Sequence, residues 1–388
     1  MGTMERLLRL MAEQHASDLY LSANAPATLR INGECVAVNA QILPYDTPRA
    51  LLAEVLPAQR MEELQESGEL NAGFAMKDVG RFRVSAMRQR GSFAVVVRYI
   101  HSEIPRLDTL NLPPLLRELI MEKRGLVLMV GATGSGKSTT LASMIDSRNE
   151  VASGHILTIE DPIEFLFRNK KSIINQREIG VDTQSLQVAL KNALRQAPDV
   201  ILIGEIRDRE TMSAAIAYAQ SGHLCLATMH ANNSYQAMNR VLSFYPVEVR
   251  PTLLGDLSSA LKAVVSQRLL RTAKGTRVPA VEVMLNTKLV SDLIENGNFS
   301  GVQEAMEKSM AEGSQTFEED IARLITEGIV ERKEGVAHAD SPTNLMWRLQ
   351  NDFAMASKAA AAAAVASAQS PLNDDGPSFT DIVLDVKH

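Results

Sequence analysis

Gly131-Ala132-Thr133-Gly134-Ser135-Gly136-Lys137-Ser138 sets the reading of this chain. The stretch fits G-x-x-x-x-G-K-[ST] at every position, and its surroundings fit as well. The apolar run Leu126-Val127-Leu128-Met129-Val130 precedes it as a strand, and a helix-forming segment over 139–147 follows. Glycines at this spacing let successive backbone N–H groups turn inward as an anion nest, and the start of the helix adds its positive dipole end. Lys137 has the reach to contact β- and γ-phosphates, Ser138 offers a hydroxyl to Mg2+, and Thr139 adds a phosphate contact. Gly131, Ala132, Thr133, Gly134, Ser135, Gly136, Lys137, Ser138 and Thr139 are therefore expected to hold a nucleoside triphosphate with Mg2+.

Outward from this loop, Ile156-Leu157-Thr158-Ile159, Val200-Ile201-Leu202-Ile203 and Leu224-Cys225-Leu226-Ala227 are short continuous apolar runs. That is the pattern of strands buried on both faces of a parallel sheet. Helical stretches over 139–147, 185–195 and 209–221 separate them, with Gly222 where a C-cap is wanted. Strands alternating with helices define an α/β domain. Ligands in such a sheet lie beyond the carboxyl ends of its strands, which singles out the polar residues there. Glu205 follows Val200–Gly204, placed to polarise an attacking water or to hold Mg2+ through one. Gly204 stands where the generic pattern carries an Asp as metal partner, so another carboxylate is expected to share the metal. Glu160-Asp161-Pro162-Ile163-Glu164 closes the strand at 156–159, and Pro162 stops it. Glu164 is the candidate for water activation or Mg2+ positioning; Asp161 serves equally well as a turn cap, and Glu160 reads as structural. His223 and His230 bracket the fourth strand and, seven positions apart, point to opposite faces. His230, at the carboxyl edge, is placed to sense a γ-phosphate, with a plain structural hydrogen bond as the alternative.

Residues 4–100 read as a smaller α+β unit. Leu7, Leu8, Leu10 and Met11 fall at helical spacing, Asp18–Ser22 alternates like a strand, and Asn32-Gly33 between two alternating runs signals a hairpin. Phe82, Val84 and Ala86 alternate with Arg81, Arg83 and Ser85, so the two arginines share the outward face of a strand. Taken alone, Arg81, Arg83, Arg88, Arg90 and Arg98 read as a solvated sheet face. Beside a nucleotide-binding domain they admit a second reading, guanidinium fingers carried over the triphosphate that couple hydrolysis to interdomain motion. Residues 102–115, with Pro105, Pro113 and Pro114, read as a linker. From about 250 to 337 the chain reads as helical, with one β-like interruption at 278–285. After Trp347 an alanine run at 359–364 and a Ser-Pro-Asn-Asp-Gly stretch mark a largely disordered tail over 346–388. Phe379, Ile382, Val383 and Leu384 are its candidate docking peptide. The expected organisation is thus 1–101, linker 102–115, nucleotide-binding domain 116–345 and tail 346–388.

Composition agrees. The 388 residues give room for two or three domains, and a 45% apolar fraction is ordinary for a globular protein with a core. A formal net charge of −6 is opposite in sign to the basic footprint of a general nucleic-acid binder or RecA-like translocase. Two cysteines, Cys35 and Cys225, make neither a four-cysteine zinc site nor a disulfide framework, and point to a reducing, cytoplasmic setting. No run reaches the ~18 apolar residues of a membrane span.

As a set, Ala16-Ser17-Asp18-Leu19, Gly80-Arg81-Phe82-Arg83-Val84, 131–139, Ile159–Glu164, Asn175-Gln176-Arg177-Glu178, Gly204-Glu205-Ile206-Arg207-Asp208 and 222–230 resemble the bacterial type IV pilus retraction ATPases of the secretion ATPase superfamily. The resemblance spans about 4–345. It implies a PAS-like N-terminal α+β domain and a RecA-like P-loop domain, an α/β fold overall. It also implies a homohexameric ring at the cytoplasmic face of the inner membrane, at the pilus base, hydrolysing ATP with Mg2+ to drive pilus retraction and twitching motility. Carried over residue by residue, it makes Glu164 and Glu205 the catalytic glutamates, sharing the metal with Ser138. It places His230 in the His box and makes Arg81, Arg83 and Arg98 the N-terminal arginines. The partners implied are a PilT-like retraction ATPase and an inner-membrane pilus platform protein, with no nucleic acid and no direct membrane insertion. Leu289-Val290-Ser291-Asp292-Leu293-Ile294 stands where the PilT branch carries Ala-Ile-Arg-Asn-Leu-Ile. That loss of Arg and Asn, with the extended tail, is similar to the PilU branch and implies an accessory motor. The alternative is a low-turnover ATP-binding module that tunes or anchors the PilT motor. Pilus assembly ATPases, typically longer and with a four-cysteine metal module, are a weaker match.

Overall fold

Alternation of apolar and polar residues organises the first hundred residues of the computed structural model, which describes residues 2–351 apart from 32, 101–102 and 309–310. Strands β1 (Asp18–Ser22), β2 (Pro26–Ile31), β3 (Glu34–Ile42), β4 (Glu69–Met76), β5 (Gly80–Gln89) and β6 (Ser92–Ile100) form an antiparallel sheet in the order β3-β2-β1-β6-β5-β4. Helices α1 (Thr3–Glu13), α2 (Thr47–Ala53) and α3 (Ala58–Ser67) share its core through Met4, Leu8, Leu52 and Leu64. On β5, Phe82 and Val84 are fully buried while Arg81 and Arg83 take the other face, as the alternation requires. The aromatic row Phe74–Phe82–Tyr99 crosses three strands with ring centroids 5.4 and 5.3 Å apart. Ile31 pairs with Glu34, and Gly33 before it takes a φ of +91°, the left-handed backbone that glycine favours.

After α4 (Leu115–Leu119) a second sheet begins with β7 (Gly125–Val130), followed by α5 (Lys137–Val151), β8 (Gly154–Glu160), β9 (Ser172–Glu178), α6 (Leu186–Ala193), β10 (Val200–Ile203), α7 (Arg209–Gln220) and β11 (Leu224–Met229). Then come α8 (Ser234–Ser243), α9 (Arg250–Ala260), β12 (Leu261–Arg271), β13 (Arg277–Leu285), α10 (Lys288–Glu295) and α11 (Val302–Lys308). The sheet order is β13-β12-β7-β11-β10-β8-β9, parallel from β12 to β9. Every residue of β7, β10 and β11 is buried, as continuous apolar runs predict. Their period of two divides the core. Leu126, Leu128, Ile201 and Ile203 pack with α6, α7 and α9, whereas Val127, Met129, Val200 and Leu202 pack with α4 and α5. Helices on both faces leave only the strand ends open to a ligand.

The expected helix through 261–271 is absent, and β12 takes its place beside β7. Leu261, Val264, Val265 and Leu269 satisfy helical spacing as well as a strand run. The β-branched pair and long-range pairing with Leu126–Val130 decide for the strand. The expected linker is not structureless: it holds a 3-10 turn at Leu107–Thr109, and Ser143 Oγ of α5 donates to Pro105 O at 2.8 Å. By packing, Met1–Leu269 and Val278–Thr316 form one unit. Leu270–Arg277 and the described residues from Phe317 onward form another, containing α12 (Phe317–Thr326) and α13 (Arg332–His338). Within that second unit residues 342–351 are helical, with Leu345 and Leu349 buried, so regular structure runs past Trp347. The rest of the expected disordered tail, with Phe379, Ile382, Val383 and Leu384, lies outside the described residues. Among those described, no helix is long and apolar enough to cross a membrane.

Candidate functional site

β7 ends at Val130 and α5 begins at Lys137, so the glycine-rich loop turns between a strand's carboxyl end and a helix N-terminus. Glycine is required where β12 presses on it. A Cβ on Gly131 would lie 2.5 Å from the Gln267 carbonyl oxygen, and one on Gly136, whose φ is +90°, 2.7 Å from Gln267 Nε2. Gln267, 2% exposed, backs the loop from behind: its Oε1 accepts from Thr140 Oγ1 and its Nε2 donates to Ser135 O, both at 2.8 Å. No local motif marks this residue, and a helical reading of 261–271 hides it. The available signal is a long polar side chain two residues after the apolar run Ala263-Val264-Val265 and two before Leu269-Leu270.

Lys137 Nζ donates to the Gly131 and Ala132 carbonyls, at 2.8 Å each. Burial pushes its pKa below the ordinary 10.5, and the Glu205 charge opposes the shift. Ser135 Oγ is buried with no hydrogen-bond partner among the described residues. An unmet hydroxyl, a partly desolvated lysine resting on carbonyls and a cradle that only glycine allows together fit an incoming polyphosphate.

A cavity of about 510 Å³ opens at this loop. It is lined by Thr133, Gly134, Gly136, Lys137, Ser138 and Thr139, by Glu160, Asp161 and Glu164 after β8, by Glu205 and Arg207 after β10, and by Thr228 and His230 of β11 and its edge. The carboxyl ends of four adjacent parallel strands thus converge on one space. Gly131, Ala132 and Ser135 stand behind it, Gly131 and Ala132 holding Lys137 through their carbonyls.

Glu205 is engaged on both oxygens. Its Oε2 accepts from Arg207 Nε at 2.7 Å and Nη2 at 2.6 Å, and its Oε1 lies 3.2 Å from His230 Nε2. Arg207 Nη1 is 3.9 Å from Asp161 Oδ2. Thr228 fixes this strand end, with its Oγ1 donating to Gly204 O and its carbonyl accepting from Ile206 N at 2.8 Å. A Cβ at Gly204 would stand 3.1 Å from Ile159 O and 3.2 Å from Glu160 Cα, so the closeness of β8 explains why no Asp occupies that position. Glu164 is exposed on its turn. Glu160, expected to be structural, ends β8 at the cavity wall. Burial drives its carboxyl upward, Thr158 Oγ1 at 2.6 Å, Gln176 Nε2 at 3.3 Å and the Glu164 N–H oppose that, and the Glu164 charge adds to it. His223, at the far end of β11, has its Nδ1 3.1 Å from Ser221 Oγ, away from the cavity.

The three arginines part company. Arg98 lines the cavity while its Nε donates to the buried Asp18 Oδ1 at 2.9 Å. Arg83 stands opposite Arg98 across the β5–β6 ladder, outside the lining. Arg81 is also outside it, with its Nη2 donating to Glu178 Oε2 of β9 and its Nε buried with no hydrogen-bond partner among the described residues. The segment 289–294 forms most of α10, with Val290 and Ile294 buried and Asp292 paired to Lys288 at 2.7 Å.

A phosphate loop on the first strand, carboxylates after its neighbours and a histidine after β11 define a P-loop nucleotide-binding protein of the RecA-like kind. The family model of the type II/IV secretion system proteins matches residues 7–334. The chain belongs to this family of ATP hydrolases, and within it to the type IV pilus ATPases of the PilT and PilU kind. It is 46% identical over 342 residues to the type IV pilus ATPase PilU of Pseudomonas aeruginosa, covering 88% of this chain and 90% of that one. Against the type IV pilus retraction ATPase PilT of the same organism it is 36% identical over 338 residues, covering 87% and 98%. The crystal structure of the pilus retraction motor PilT with bound ADP has the same fold, with a TM-score of 0.82 at 37% identity over 89% of this chain and 98% of that one. The greater likeness to PilU expected from the α10 segment and tail is borne out.

Proposed function

We propose that the chain is a Mg2+-dependent ATPase motor of the type IV pilus machinery, working as a homohexamer at the cytoplasmic face of the inner membrane. We further propose that it is a PilU-like accessory to a PilT-like retraction ATPase, acting on the pilus platform protein. The observation that carries the reading is the convergence of Lys137, Ser138, Glu164, Glu205 and His230 on one cavity. Gly131–Thr139 bind the phosphates, and Lys137 exchanges two carbonyls for phosphate oxygens. Ser138, Glu164 and Glu205 would hold Mg2+, which when bound neutralises phosphate charge. Glu205 orients the attacking water once Arg207 and His230 yield it, and Glu164 assists from beyond the carboxyl end of the neighbouring strand. His230, touching Glu205, reports whether the γ-phosphate is present. Arg98 is the arginine placed to reach a triphosphate; Arg81 and Arg83 contribute from outside the cavity. Residues 1–101 and 116–345 act as two bodies on the linker 102–115, and nucleotide turnover moves one against the other.

The engagement of both Glu205 oxygens favours a second reading, a low-turnover ATP-binding module that tunes or anchors the PilT motor. Piliated strains separate the two. If the chain is a motor, a Glu205→Ala strain loses twitching and retraction to the level of a deletion strain. Wild-type motility in Glu205→Ala, absent in the deletion, would leave only the anchoring role.

A further inference from the structure

The motif Asn175-Gln176-Arg177-Glu178 on β9 takes no part in the chemistry assigned above. Gln176 and Glu178 are two residues apart on one strand and both reach the loop 161–167, which carries Glu164. Glu178 Oε2 accepts from Ile163 N at 3.1 Å. Gln176 Oε1 accepts from Phe167 N at 2.9 Å, and its Nε2 donates to Phe165 O at 2.8 Å. Backbone groups on both sides of Glu164 are therefore held by two side chains of one neighbouring strand.

The same Glu178 oxygen also accepts from Arg81 Nη2 of β5. Glu178 is 3% exposed, so its charge has little water to fall back on. Gly73 of β4 leaves the space for this pair: a Cβ there would stand 3.0 Å from Glu178 Oε1 and 3.4 Å from Arg81 Nη2. A second contact lies close by, where Arg60 Nη2 of α3 donates to Gly180 O at 3.0 Å, just past the end of β9.

We propose that Gln176 and Glu178 are positioning residues for Glu164. Arg81 acts through Glu178, as a tether from the N-terminal sheet to the Glu164 loop, and not as a finger on the nucleotide. This rests on the reading of Glu164 as a participant in hydrolysis. Loss of Arg81 leaves Glu178 a buried charge with, among the described residues, only the Ile163 N–H to answer it, and the loop loses its fixed reference. Nucleotide binding, which depends on Gly131–Thr139, is left alone.

The test uses the full chain with Mg2+ and compares Arg81→Gln, Arg81→Lys, Glu178→Gln, Gln176→Ala, the Arg81→Gln/Glu178→Gln double and Glu164→Ala. Three quantities are read: steady-state kcat and KM, affinity for a fluorescent ADP analogue, and amide hydrogen exchange of peptides spanning 161–167. Arg81→Gln and Glu178→Gln should each lower kcat about tenfold or more with ADP-analogue affinity unchanged, because a misplaced catalytic group costs rate before binding. The double should match the worse single within about twofold, as two members of one device do. Arg81→Lys, which keeps the charge, should recover most of the loss. Exchange in 161–167 should rise in Arg81→Gln, Glu178→Gln and Gln176→Ala. Multiplying defects in the double, weakened analogue binding in Arg81→Gln, or unchanged loop exchange in that variant would each overturn the tether. Normal turnover in Glu164→Ala would overturn the reading of Glu164 instead, and loop exchange, which needs no activity, then decides the tether by itself.

Discussion

Replacing Gln267 by Leu puts an apolar residue of similar size in β12 and deletes both hydrogen bonds that back the phosphate loop. Thr140 Oγ1, in a residue 1% exposed, loses its acceptor, and the Ser135 carbonyl loses its donor. Each buried polar group left unpaired costs about 1–3 kcal/mol, which sets an outer range of about 2–6 kcal/mol. Thr140 is one turn beyond the Gly136 carbonyl, and a helical threonine hydroxyl can swing back onto such a carbonyl, so about 2–4 kcal/mol is expected. Hydrogen exchange of the slowest β7 and β12 amides reads this directly as a drop in opening free energy. Because the loop loses its backing, affinity for a fluorescent ADP analogue should fall about tenfold or more, equivalent to about 1.4 kcal/mol. Thr140→Val added to Gln267→Leu removes the stranded donor and should return about 1–2 kcal/mol of stability without restoring affinity. Unchanged β7 protection together with unchanged affinity in Gln267→Leu would refute the argument that β12 shapes the nucleotide site.

Three further outcomes follow from the same geometry. Burial lowers the Lys137 pKa, and a polyphosphate needs the charged form. Affinity should therefore be full below the lowered value and fall as pH rises through it, by up to about tenfold per pH unit. Analogue titrations from about pH 7 to about pH 11 should show this fall in wild type and not in Lys137→Arg, whose guanidinium stays charged. Glu160 has its folded pKa raised by burial, so its contribution to stability is full below the unfolded value near 4.5 and is lost as pH rises through the folded one. Glu160→Gln should melt above wild type at neutral pH, with the difference closing towards pH 4.5; a gap independent of pH would remove the electrostatic cause. Arg207→Ala frees Glu205 from a pair whose arginine side chain is 61% exposed and which is therefore held by only ~0.5–1 kcal/mol. Basal kcat should rise about twofold to fivefold with ADP-analogue affinity unchanged. A fall in kcat would mean that Arg207 stabilises the transition state instead.

The parts of this molecule that were legible in the chain are those whose signal is local. Gly131–Ser138 states its own turn, and Leu126–Val130, Val200–Ile203 and Leu224–Ala227 state by their unbroken apolar character that both their faces are covered. Glu205 and His230 were reachable because a strand's end can be read from where its apolar run stops. β12 was not, because Leu261–Arg271 fits both periods and its partner β7 lies more than a hundred residues earlier. Gln267 went with it. Arg81 illustrates the other limit. Its place on the polar face of β5 followed from alternation, but its partner Glu178 lies 97 residues away, and nothing in either segment names the other. The two-sided hold on Glu205 escaped for a related reason. Arg207 reads as a residue of the turn after a strand, and only the folded turn bends its guanidinium back onto the carboxylate.

The central claim is that Glu205 drives ATP hydrolysis at the Gly131–Thr139 loop. Its most direct test is ATP turnover by the purified full-length chain with Mg2+, beside Glu205→Ala, with the mass of the assembly recorded in the same samples. The account predicts a hexamer that hydrolyses ATP and a mutant that still binds nucleotide and assembles, with turnover reduced by at least about a hundredfold. Turnover that survives Glu205→Ala within a few-fold would contradict it and move the chemistry to another residue.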